Sequence, residues 1–74
     1  MQTKYESGTF YILGLTHSEE INLSDHLSQL GYRAGGGYCK NAPNSEWLVW
    51  VKISRSKIQE LKSIVSRYFH TSIF

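Results

Sequence analysis

The stretch SEWLVWVKIS, residues 45–54, decides the fold. Trp47, Val49, Val51 and Ile53 fall on one parity of an extended chain, and Leu48, Trp50 and Lys52 on the other. Successive side chains of a strand point to opposite faces, so apolar residues on both parities predict a strand inside a sheet rather than at its rim. β-Branched and aromatic residues dominate the run, and the turn-forming residues NAPN precede it. Lys52 belongs to solvent. That assigns Leu48, Trp50 and Lys52 to an outward face and Val49, Val51 and Ile53 to the core.

Working outward, residues 9–15, TFYILGL, are again apolar on both parities and predict a second central strand. The matching assignment turns Phe10 and Ile12 inward and Tyr11 and Leu13 outward. Gly14 marks a bulge or a close backbone approach. Residues 36–41, GGYCKN, are thin in side chains and suit an edge strand, joined to the central run by a turn around Pro43. Residues 70–74, HTSIF, alternate and predict the other edge.

Two helices lie between these strands. Thr16 with Glu19, and Asn22 with Asp25, both have N-cap spacing. The stripe Leu23, Leu27, Leu30 favours the later start, because Ile21 lies off its face, so the first helix is expected over residues 22–30. Gly31 then serves as the left-handed residue after the helix, with Tyr32 packing back. The second helix carries Ile58, Leu61, Val65 and Tyr68, joined by Ile64 and Phe69, behind a cap at Ser54 or Ser56, the latter at capping-box spacing from Gln59. Residues 1–8 are polar and are expected as a flexible arm. The order β-α-β-β-α-β predicts a single α+β domain over residues 1–74. The expected architecture is a ferredoxin-like sandwich with a four-stranded antiparallel sheet and two helices on one face.

Bulk properties narrow the function. Seventy-four residues suffice for one small core, and the aromatic share of 14% argues against disorder. A lone cysteine and a start without a basic, apolar leader suit a reducing, cytoplasmic setting, and no apolar run is long enough for a membrane span. Residues 1–30 hold one lysine against four acids, net −3, and residues 31–74 hold seven basic residues against two acids, net +5. Such a dipole steers partners more than it shapes the fold. Arg55, Lys57, Lys62 and Arg67 form a basic set around the second helix, a candidate contact for nucleic acid or an acidic protein.

Catalytic patterns are missing. His17, His26, His70 and Cys39 stand singly, without metal-ligand spacing. His26 flanks the leucine stripe as a partly buried filler. Residues 33–37 are expected as a glycine-rich loop; the run Gly35-Gly36-Gly37 follows a helix and precedes a strand, the reverse of a phosphate loop, so a flexible loop or edge-strand entry explains it better. The acids Glu19 and Glu20 suit the positive end of a helix. No enzyme, metal or cofactor is expected.

What remains is the outward sheet face. Tyr11, Leu13, Leu48 and Trp50 would meet across the two central strands, an apolar patch beside Lys52 that is a candidate binding surface. FYILGL, residues 10–15, resembles the first-strand motif of RNA-recognition motifs, with Tyr11 at the position that stacks a base. Trp50 matches one outward aromatic of that family's third-strand motif, while Leu48 stands where the other is found and Glu46 replaces the basic lead. The resemblance implies single-stranded RNA or DNA binding by Tyr11 and Trp50, assisted by Lys52, Arg33 and Lys40. In strand and helix spacing the chain is also similar to the peptidoglycan-binding sporulation-related repeat, whose first helix ends in a Gly-Tyr pair, here Gly31 and Tyr32. The leading expectation is a non-catalytic protein-binding module. It would be an inhibitor or adaptor of the kind phages and mobile elements carry, docking on another protein or on itself as a homodimer. It would do so through Tyr11, Leu13, Leu48, Trp50 and Lys52 or through an edge strand. Nucleic-acid binding is the alternative.

Overall fold

The computed structural model describes residues 2–39 and 46–69. Its elements run β1 (Gln2–Glu6), β2 (Thr9–Leu15), α1 (His17–Gln29), β3 (Arg33–Cys39), β4 (Glu46–Lys52), a 3-10 turn (Arg55–Lys57) and α2 (Ile58–Phe69). The four strands make one antiparallel sheet in the order β1-β2-β4-β3, and the class is α+β. The two apolar runs are its central strands. Phe10, Ile12, Val49 and Val51 point inward and are buried, joined by Leu23 and Leu27 of α1 and Leu61 and Val65 of α2. Since one parity of the sheet meets buried residues from both helices, both helices cover the same face.

The edge beside β2 departs from expectation. The residues expected as a flexible arm form β1, paired from Gln2↔Leu13 to Glu6↔Thr9. A two-residue turn closes this hairpin, with Ser7 and Gly8 both at positive φ (52° and 79°). Primed turns demand that conformation because their twist matches the strands. Tyr5 anchors β1 from the inner side, where its hydroxyl donates to the Ile53 carbonyl at 3.0 Å. The expected strand over residues 70–74 and the turn at Pro43 lie outside the described residues, as does Lys40.

The first helix starts a turn and a half earlier than its leucine stripe suggests. Thr16 caps it. The Glu19 amide donates to the Thr16 hydroxyl at 3.2 Å, and the Thr16 amide donates to the Glu19 carboxylate at 2.9 Å. This reciprocal pair satisfies amides that the helix leaves open, so it outweighs the off-face position of Ile21, which is 50% exposed. Thr16→Ala should cost about 1 kcal/mol in a denaturant melt. A loss within error would show that the later start is the stable one.

The C-terminal end matches its expectation: Gly31 has φ 95°, the Tyr32 amide donates to the Leu27 carbonyl, and the Gly31 amide donates to that of Ser28. Gly14 lies at φ 77° where the β2–β4 register shifts between Ile12 and Leu15, so it is a bulge. Of the two serines expected to cap the second helix, Ser54 holds the N-cap position of the 3-10 turn that leads into α2, without the side-chain bond. Its hydroxyl meets that of Ser56 at 3.1 Å.

Candidate binding face

Cross-strand register builds the outward face row by row. The middle row runs Lys4, Tyr11, Trp50, Gly35 across β1, β2, β4 and β3. On one side of it lies Glu6, Thr9, Lys52, Arg33; on the other, Leu13 pairs with Gln2 on β1 and Leu48 pairs with Gly37 on β3. The sequence-derived set of Tyr11, Leu13, Leu48, Trp50 and Lys52 is therefore brought together on one surface, with Tyr11 directly opposite Trp50. Among the described residues no helix or strand covers it.

The glycines of β3 give this surface its shape. A Cβ on Gly35 would lie 2.5 Å from Cζ2 and 2.8 Å from Cε2 of the Trp50 indole. The indole thus packs against the bare backbone of β3, and Trp50 remains only partly buried. On the helix side, the space a Cβ would take on Gly36 holds the carboxylate of Glu20, which α1 buries to 8% exposure. Gly35 and Gly36 let a ring and a helix approach opposite faces of one strand; this, rather than loop flexibility, is what the glycine run provides. Gly35→Ala should lower stability by about 1–3 kcal/mol and shift Trp50 fluorescence as the indole lifts from the strand. Unchanged emission would contradict the contact.

Charges frame the rings. The Lys4 ammonium sits over the Tyr11 ring, 5.1 Å from its centroid, and also pairs with exposed Glu6 at 3.6 Å. Such a contact contributes about 0.5–1 kcal/mol when exposed. The basic set expected around the second helix is spread over different surroundings. Arg55 lies over the Tyr5 ring at 5.7 Å, Lys57 lines a groove with Arg33 and Lys52, and Arg67 lines another with His26, Leu30 and Tyr68. Lys62 sits on α2 and is partly buried.

Sequence reading missed a second aromatic cluster at the end of the sheet. Trp47, on the inward parity, stacks on His17 of α1 with centroids 3.9 Å apart, and Tyr38 meets Trp47 edge-on at 5.0 Å. The pairing Tyr38↔Trp47 needs register as well as parity, which composition does not supply. His26 sits against the Tyr68 ring at 4.9 Å, partly buried as expected. Among the described residues no group of three or more His, Cys, Asp or Glu could hold a metal ion, and no helix is long and apolar enough to cross a membrane. No family model, curated protein or solved structure matches the chain.

Proposed function

We propose that this chain is a small non-catalytic binding module, an inhibitor or adaptor that docks on another protein through the sheet face opposite its helices. The uncovered row Lys4–Tyr11–Trp50–Gly35 carries this reading. Leu13 and Leu48 extend the rings into a compact apolar centre, and Lys4, Glu6, Lys52 and Arg33 lie toward its borders. An apolar centre with aromatic anchors and a polar rim is how protein interfaces are built. The fold, on this reading, is a ferredoxin-like variant: β2 and β3 run parallel with β4 between them, as in one split βαβ unit, and β1 holds the place of the remaining edge.

A second reading, single-stranded RNA or DNA binding, is favoured by one specific observation. Tyr11 and Trp50 stand side by side on adjacent strands of one face, an arrangement that lets each ring stack a base, with Lys52 and Arg33 in the next row. The two readings separate by salt. Binding of a labelled oligonucleotide that falls steeply with salt and is lost in Tyr11→Ala supports the nucleic-acid reading, while a salt-tolerant protein complex lost in Trp50→Ala supports the first.

A further inference from the structure

We propose that the groove where the C-terminal end of α1 meets the start of α2 is a phosphate-binding site, separate from the apolar centre of the sheet face. The groove encloses about 540 Å³ and draws Arg33 from β3, Lys52 from β4 and Lys57 from the 3-10 turn to one place.

Arg33 and Lys52 are direct partners at the end of the β3–β4 ladder and leave the sheet on its outward face, so they line the groove from the sheet's rim while Lys57 lines it from the helix side. Like charges set opposite each other destabilise a sheet. Among the described residues, none of Arg33, Lys52 and Lys57 is in an ion pair. The groove's carboxylate, Glu60, already accepts a hydrogen bond from the Tyr32 hydroxyl at 3.2 Å. This contact ties the chain after α1 to α2 across the groove. The neighbourhood thus carries three cations against one engaged acid.

A phosphate group suits this arrangement better than a carboxylate. Its several acceptor oxygens can take the Arg33 guanidinium fork and two ammonium groups from different sides, and its charge relieves the repulsion between Arg33 and Lys52. Ser54 also lines the groove, and its hydroxyl, which meets that of Ser56, can donate to an anion when it accepts from Ser56. The phosphate can come from a small phosphorylated molecule or from a nucleic-acid backbone, since both present the same oxygens.

Titration of the isotope-labelled chain with inorganic pyrophosphate at low ionic strength, followed by amide chemical shifts, tests the site. Saturable shifts should centre on Arg33, Lys52, Ser54 and Lys57. Lys57→Gln and Arg33→Gln should each weaken binding about tenfold, whereas Trp50→Ala should leave it unchanged. A parallel titration with a short single-stranded oligonucleotide identifies the source. Tighter binding than pyrophosphate with the same shifts means a nucleic-acid backbone, and binding of pyrophosphate alone means a small phosphorylated ligand. Shifts that do not saturate, or that persist at equal affinity in both folded glutamine variants, would overturn the site. That failure would leave the reading of the sheet face untouched, because Trp50 is tested by its own partner.

Discussion

Trp50→Ala is expected to leave the chain folded while lowering affinity for a sheet-face partner by about a hundredfold, equivalent to about 2.7 kcal/mol. The indole is the largest side chain of the outward face and packs against Gly35, so part of its conformational freedom is already lost before a complex forms. Its removal takes away the middle of the row from Lys4 to Gly35 and leaves Tyr11 without its cross-strand neighbour. The fold should tolerate the loss. Trp50 is only partly buried, whereas Val49 and Val51 on either side of it are fully buried and hold β4 to the helices. A stability cost of about 1–2 kcal/mol is the expected side effect. Parallel thermal melts and binding isotherms separate the two quantities. Collapse of the fold would mean that the indole serves the core rather than a partner.

Leu61→Ala should have the largest effect on stability, about 2–5 kcal/mol. Leu61 and Val65 are the fully buried residues of α2, and Leu61 meets the layer formed by Phe10, Ile12, Val49 and Val51. A domain of this length typically has a net stability of about 4–11 kcal/mol, so the substitution would take a large share of it. The same kind of truncation at Ile21, half exposed on α1, should change stability by no more than about 0.5 kcal/mol. Equal losses at the two positions would contradict the placement of α2 on the sheet.

How much of this was legible in the sequence depended on whether the deciding physics was local. The two central strands announced themselves because both parities are apolar, one set buried against the helices and the other forming the outward patch. One charged residue, Lys52, then sufficed to orient residues 45–54, and the burial of Val49 and Val51 follows that orientation. Gly31 and Gly14 were readable because positive φ favours glycine at short range. β1 was missed for the opposite reason. An edge strand has few core contacts, so QTKYE carries charges at Lys4 and Glu6 and resembles a solvated arm. Its signal lay in the Ser7-Gly8 pair and in the alternation that turns Thr3 and Tyr5 inward.

The first turn of α1 was missed because a leucine stripe reports only burial. The Thr16–Glu19 pair and the packing of Glu20 on Gly36 are polar and depend on tertiary approach. For the same reason the outward residues could be chosen by parity, but the seat of Trp50 on Gly35 could not. It requires the register of β3 against β4, which is set between strands rather than within one.

The central claim is that the sheet face, with Trp50 at its middle, is where this chain meets its partner. The most direct measurement compares partner capture and complex size for the unmodified chain, Trp50→Ala and Arg67→Ala, the last on the helix side among the residues lining a different groove. The account predicts one complex that survives Arg67→Ala and is lost with Trp50→Ala while both variants melt cooperatively. A complex that survives Trp50→Ala and disappears with Arg67→Ala would contradict it.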